Sequence, residues 1–325
     1  MNDYVAFVVE APGPPSVLKK TPRAYPEIKS GWVLIKIEGF GINRSEMFTR
    51  QGYSPNVKFP RVLGIECVGR VVESNSESLD VGSQVVALMG GMGRDYDGAY
   101  AEFALLPERV VFPIKTSLAP SVLAALPEMF QTSWGSLTAG LGGQAQQTLL
   151  IRGGTSSVGR MALQLAKILE MSVVATTRSE QKVDTLLAAG ADHVWIDDGR
   201  LAARKQSAGI DIDCVLELVG TATLKDSLKI CKPGGTVCMT GILGNQWTFN
   251  EFTPMEDIPH TTKLTAYSGG PEDFDRQAFQ QYLQQIEAGK ATPPIDRVFA
   301  FEELVAAHEY MESNQATGKI VIVHQ

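Results

Sequence analysis

The chain has 325 residues, 44% of them hydrophobic and 20% charged, and a net charge of −7. That length predicts about two folding units with ample core, and an acidic chain without clustered Lys and Arg excludes a nucleic-acid surface. No run of about 18 apolar residues occurs, so no segment is predicted to span a membrane.

Met1-Asn2-Asp3-Tyr4 has no basic stretch followed by an apolar one, so a secretory signal is not expected. Cys67, Cys214, Cys231 and Cys238 form no Cys-x-x-Cys pair, and zinc sites usually need such close spacing. These cysteines are expected in the core, reduced, in a cytoplasmic protein.

From Met1 to about Ser117, short β-type runs alternate with Gly and Pro breaks. Strands are predicted over Tyr4–Glu10, Trp32–Glu38, Val68–Glu73, Val85–Met89 and Ala99–Leu105, with a turn at Pro12-Gly13-Pro14-Pro15 and a helix-like stretch over Arg44–Arg50. Between Leu118 and Gly143 the apolar Val122, Ala125, Leu126, Met129 and Phe130 recur at helical spacing. A strand–helix rhythm starts at Thr148. Its strands are Thr148–Arg152, Ser172–Thr177, His193–Ile196, Ile212–Leu218, Thr236–Thr240 and Lys263–Tyr267, with helices including Gln181–Ala189 and Ala222–Ile230. That alternation predicts an α/β region with a parallel, doubly wound sheet. Two further helical patterns, Phe274–Ala288 and Phe301–Ser313, precede a last strand, Lys319–Val323.

The first strand of that rhythm runs into Gly153-Gly154-Thr155-Ser156-Ser157-Val158-Gly159. Behind it, Val158, Met161, Ala162, Leu165, Ile168 and Leu169 lie on one face of a predicted helix. A turn of small residues opening a helix suits a dinucleotide pyrophosphate, because free N–H groups and the helix dipole both face the anion. Gly159 permits close helix–sheet packing, and the Ser156 hydroxyl is a candidate donor to a phosphate oxygen. The next strand ends Thr177-Arg178-Ser179, followed by Lys182. An acid there would bond a ribose 2′-OH, whereas hydroxyl and cationic groups receive a 2′-phosphate. NADPH is therefore expected over NADH; alternatively Arg178 and Lys182 are solvated surface charges.

Gly41-Ile42-Asn43-Arg44-Ser45-Glu46 and Gly64-Ile65-Glu66 resemble the Gly-Ile-Cys and Gly-His-Glu stretches of medium-chain dehydrogenases, with Asn43 and Ile65 in place of zinc ligands. With the glycine turn, they make the chain similar to the zinc-independent quinone oxidoreductases of the medium-chain dehydrogenase/reductase superfamily over nearly its whole length. The resemblance implies a GroES-like β-rich catalytic domain over 1–118 and 271–325, and a Rossmann domain over 119–270. It implies that Thr132, Gly241 and Leu243 lie beside the nicotinamide and that Lys182 holds the 2′-phosphate, in the absence of the tyrosine often found where Asp197 stands. A homodimer joined along the edge strand Lys263–Gly269 is also implied.

No metal is expected, since Asn43 is a poor ligand, Ile65 is none, and Cys67 alone cannot hold zinc. Hydride must then pass from NADPH to an acceptor that is already electrophilic, a quinone or an α,β-unsaturated carbonyl. The charge gained on its oxygen needs donors aimed at it. The Asn43 amide is the candidate donor, as a substrate or cofactor contact, and is alternatively a backbone-bonding turn residue; Tyr53 is a candidate to line the entrance, and is alternatively apolar packing. Arg50 is expected to be an ion-pair partner. An enoyl-thioester reductase and a non-catalytic NADPH-binding redox sensor remain open alternatives.

Overall fold

The computed structural model describes residues 3–203 and 209–324. Two compact units divide the chain: Met1–Met129 together with Gly270–Gln325, and Phe130–Gly269. The first is β-rich and the second is a parallel α/β sheet, the two architectures expected.

The first unit begins with β1 (Tyr4–Val9), β2 (Leu18–Arg23), β3 (Trp32–Ile42), β4 (Arg61–Val62), β5 (Glu66–Ser74), β6 (Gln84–Leu88), β7 (Phe103–Pro107) and β8 (Val111–Pro113). Helices α1 (Arg44–Arg50) and α2 (Pro120–Leu123) also belong to it, and α3 (Pro127–Gly135) follows. The second unit holds β9 (Thr148–Arg152), α4 (Ser157–Ile168), β10 (Ser172–Thr177), α5 (Val183–Ala188), β11 (His193–Ile196), β12 (Ile212–Glu217), β13 (Cys231–Met239) and β14 (Lys263–Ala266). The chain then returns to the first unit with β15 (Ile295–Ala300) and β16 (Lys319–Val323).

In the first unit β1 pairs with β2 and β4, and a seven-stranded sheet runs β15-β16-β3-β5-β6-β8, with β7 also on β3. β3 is its organiser, antiparallel to β16, β5 and β7. Its Val33, Ile35, Ile37 and Phe40 are buried, while Trp32 is half-buried and Lys36 exposed, and such β-branched and aromatic residues suit a pleated strand.

In the second unit the order is β11-β10-β9-β12-β13-β14. The chain moves outward from β9 to β11, then restarts at β12 on the other side of β9, which creates a switch point at the β9–β12 junction. Leu149, Leu150 and Ile151 in β9, and Val215 and Leu216 in β12, are fully buried. Such unbroken apolar runs mark parallel strands covered by helices on both faces.

Several expectations are corrected. β2, β4, β8 and β15 were not anticipated; β2 reads Leu-Lys-Lys-Thr-Pro-Arg, a polar edge with little periodic signal. The strand expected at Ala99–Leu105 is Phe103–Pro107, because the backbone of Ala99 and Tyr100 bonds instead to Gly64 and Leu63. Ile168 is 40% exposed, while Leu163 and Ala166 are buried in its stead. Residues 119–129 fold with the first unit: α2 packs on β3, β5 and β16, and the Glu128 N–H donates to Glu66 at 2.8 Å.

Candidate active site

The glycine turn is built by steric need. Gly153 has φ +92°, and a Cβ there would meet Leu243 Cδ1 at 2.9 Å. A Cβ on Gly159 would lie 2.5 Å from the Gly153 carbonyl oxygen and 2.9 Å from Gly154 Cα, so only glycine lets the helix sit on its own entry turn. The N–H groups of Gly153 and Gly154 donate to Thr176 Oγ1 and Thr176 O, at 3.1 and 3.0 Å, which pins the turn to β10.

Ser156 is the N-cap of the 12-residue α4: its Oγ accepts from the Gly159 N–H at 3.0 Å and donates to Gly153 O at 2.9 Å. The hydroxyl is thus spent inside the loop, and the donation to phosphate expected of it has no free proton to use. The Arg160 N–H goes to Ser156 O. Among the described bonds, the first-turn N–H groups of Ser157 and Val158 are left for an anion, at the positive end of the helix dipole.

The strand ends gather other expected residues. A Cβ on Gly241 would lie 2.5 Å from Leu218 O, and the Leu243 N–H donates to Leu218 O at 3.0 Å, so this segment lies against the end of β12. The Thr132 carbonyl accepts from Ser136 Oγ at 2.6 Å, and Ser136 Oγ is 2.8 Å from Thr240 Oγ1, next to Gly241. At the end of β10, buried Thr177 uses Oγ1 to accept from the Ser179 N–H at 3.1 Å. Arg178 is exposed and Lys182 half-buried. Neither has an ion-pair partner among the described residues.

In the first unit, Asn43 stands between β3 and α1 without a side-chain capping bond. Its Nδ2 donates to Glu46 Oε1 at 3.2 Å and to Glu66 Oε1 at 2.9 Å, and its Oδ1 accepts from Lys319 Nζ at 2.5 Å. Lys319 Nζ also lies 2.6 Å from Glu66 Oε1 and 3.4 Å from Glu128 Oε2, and the Lys319 and Glu66 side chains are wholly buried. A Cβ on Gly41 would collide with both Lys319 and Glu66, so this glycine makes room for the cluster. Burial pushes the Glu46 carboxyl up to about 7, against the lowering effect of the Ser45 hydroxyl (2.8 Å) and of Lys319. Burial alone would lower Lys319, yet Glu66 and Glu128 hold its ammonium above the usual lysine range.

This arrangement revises two expectations. Both Nδ2 protons of Asn43 are taken by carboxylates, so its amide is neither a free donor nor a simple turn residue. Tyr53 is 69% exposed, with its ring edge-on to Phe48 at 6.3 Å. Arg50 is an ion-pair partner as expected, fully buried and bonded to Glu312 and to Gly13 O. Sequence reasoning missed Glu46, Glu66, Glu128 and Lys319. The available signal was a lysine heading the apolar strand Lys-Ile-Val-Ile-Val.

Residues 29–116 match the model of the alcohol dehydrogenase GroES-like domain, and residues 189–322 match that of the zinc-binding dehydrogenases. The chain is 28% identical to the quinone oxidoreductase of Mus musculus over 329 residues, covering 96% of this chain and 95% of that one. It is 29% identical to the 2-methylene-furan-3-one reductase of Solanum lycopersicum, over 92% of this chain and 73% of that one. A mycobacterial protein solved in complex with NADPH shares the fold, with a TM-score of 0.84, 24% identity, and coverage of 98% and 99%. The chain has the two-domain fold of the medium-chain dehydrogenase/reductase superfamily.

Within that superfamily, the name of one matched model raises the question of zinc. A catalytic zinc takes three protein ligands and keeps a fourth position open. Here Ile65 offers no ligand atom, and the Asn43 oxygen is already bonded to the Lys319 ammonium. Cys67 is wholly buried, and its thiol is raised far above the usual range by burial and by Glu66. These residues do not fit a zinc ion.

Proposed function

We propose that this chain is an NADPH-dependent reductase that delivers hydride to a quinone or an α,β-unsaturated carbonyl without a metal. The observation that carries the reading is the Lys319 ammonium, bonded to Asn43 and Glu66 where relatives of the zinc-binding type need ligand atoms. A dinucleotide turn with no metal to polarise an alcohol leaves an acceptor that is electrophilic from the start. The names of the mouse and tomato relatives, a quinone oxidoreductase and a 2-methylene-furan-3-one reductase, agree with that class.

The turn Gly153–Gly159 would receive the pyrophosphate through the Ser157 and Val158 N–H groups and the dipole of α4. Arg178, Lys182 and Thr177 would receive the ribose 2′-phosphate, with charge-assisted hydrogen bonds from the two cations. Thr132, Gly241 and Leu243 would line the nicotinamide end. Bound NADPH supplies the hydride. Asn43, fixed on both sides by charged groups, holds the cluster in one geometry, and the proton that completes the reduction comes from water. Tyr53, exposed at the end of α1, is assigned to acceptor entry.

Among the described residues no helix is long and apolar enough to cross a membrane, and we take the working form to be a cytoplasmic homodimer. β14 is an edge strand, and an edge needs a cover.

The test is loss of NADPH absorbance with ortho- and para-quinones, enals and enoyl thioesters, alongside metal analysis of the active protein. Turnover with quinones or enals on metal-free protein is expected. Turnover confined to enoyl thioesters, tight NADPH binding without any turnover, or stoichiometric zinc whose chelation abolishes activity would each overturn the reading.

A further inference from the structure

The third strand of the nucleotide unit ends in Asp197, a carboxylate placed where it should oppose a 2′-phosphate. Its backbone N–H donates to Thr177 O at 2.8 Å, so it flanks the strand end that carries Arg178. Yet its charge is not presented there. Arg152 Nε and Nη2 bond Asp197 Oδ2 and Oδ1, both at 2.8 Å, and the Gly199 N–H adds a third bond to Oδ1 at 2.8 Å. The Asp197 side chain is 8% exposed and that of Arg152 is fully buried.

Arg152 is itself locked. Its Nη1 donates to Asp226 Oδ2 at 2.8 Å, to Ser227 Oγ at 3.0 Å and to Thr223 O at 3.1 Å, all on the helix Thr221–Ile230. The guanidinium thus holds both oxygens of the Asp197 carboxylate in a bidentate fork, while the same cation also pairs with Asp226. Among the described residues, Arg178 and Lys182 have no ion-pair partner at this edge of the sheet.

We propose that Arg152 is a specificity-positioning residue: by holding both oxygens of Asp197, it masks this acid at the ribose end of the site and so permits a 2′-phosphate. This inference rests on the NADPH reading above and deepens it. An Asp197 released from the fork would repel a 2′-phosphate and accept from a free 2′-OH, which moves preference toward the unphosphorylated nucleotide.

The experiment measures binding of 2′,5′-ADP and of 5′-AMP to the full chain at about pH 8, and takes the ratio of the two affinities. The wild type is expected to favour 2′,5′-ADP by at least about tenfold, and Arg152→Met to reduce that ratio by about tenfold, a difference of about 1.4 kcal/mol. The double variant Arg152→Met/Asp197→Asn should regain the ratio. A purely structural Arg152 would weaken both ligands together and leave the ratio unmoved, which overturns the proposal. Should Arg152→Met fail to fold, Asp197→Asn alone decides. A ratio within about threefold of wild type supports the masking, and a tenfold rise shows that the phosphate feels the carboxylate through the fork and overturns it. A wild-type ratio near one sinks the NADPH reading and this inference with it. A high wild-type ratio that survives Arg152→Met sinks the inference alone.

Discussion

Replacing Lys319 with Met keeps the length and apolar stem of the side chain and removes only the ammonium. Glu66 Oε1 loses a partner at 2.6 Å, Asn43 Oδ1 one at 2.5 Å and Glu128 Oε2 one at 3.4 Å. Because the Lys319 and Glu66 side chains are both fully buried, the Glu66 carboxylate is left without water to replace the cation. Breaking a buried pair from one side costs about 3–5 kcal/mol. At about 2–4 °C per kcal/mol for a unit of this size, melting should fall by roughly 6–20 °C. Urea unfolding at pH 7.5 measures the loss, and Glu66→Gln/Lys319→Met separates pairing from packing. The double variant should recover part of the loss, since a neutral amide beside a thioether is less costly than a lone buried charge. A single variant within about 0.5 kcal/mol of wild type, or a double variant whose loss is the plain sum of the two singles, would refute the reasoning.

Glu46 gives the cluster a pH signature. Between 4.5, the ordinary value, and about 7 the folded carboxyl keeps a proton that the unfolded chain has released. Its contribution to stability therefore falls as pH rises through that window, by up to roughly 3 kcal/mol. Glu46→Gln should remove this part of the slope, and parallel stability curves for the two proteins would count against it. Ser156→Ala deletes the cap of α4 and should cost about 1 kcal/mol in urea unfolding; no change would mean that the Gly159 N–H finds another acceptor. Lys182→Ala should raise the Kd for NADPH about tenfold while leaving that for NADH within about twofold, and equal losses would remove the residue from 2′-phosphate recognition. Asn43→Ala strips bonds from Glu46, Glu66 and Lys319 and should cost about 1–3 kcal/mol with NADPH affinity unchanged. A fall in NADPH affinity without loss of stability would contradict its place in the cluster.

The nucleotide unit was legible because its physics is local. Thr148–Arg152, Ser172–Thr177 and His193–Ile196 have the bounds read from the sequence, since apolar runs bounded by turn residues carry their own signal. The steric role of Gly159 was equally readable. Less legible was the role of polar side chains that meet partners far along the chain. Asn43 was read as a donor to the acceptor, but its amide joins carboxylates at 46 and 66 to an amine at 319. Asp197 stands where the resemblance implies a tyrosine, and its fork with Arg152 spans 45 positions. No periodicity reports such pairings, because they depend on which strands become neighbours.

The discontinuity of the first unit bears on how the protein is made. β16 pairs with β3 and brings Lys319, so the amino-terminal half leaves the ribosome with Glu46, Glu66 and Glu128 already present and their counter-cation not yet synthesised. The segment 130–269 is continuous and can mature in the meantime. Completion of the first unit therefore waits until Lys319 has been made, and a nascent chain stalled short of it carries an open flank of β3 with the Lys319 amine still missing. Such a species is a natural client for a chaperone, and carboxy-terminal truncation should harm the amino-terminal strands first.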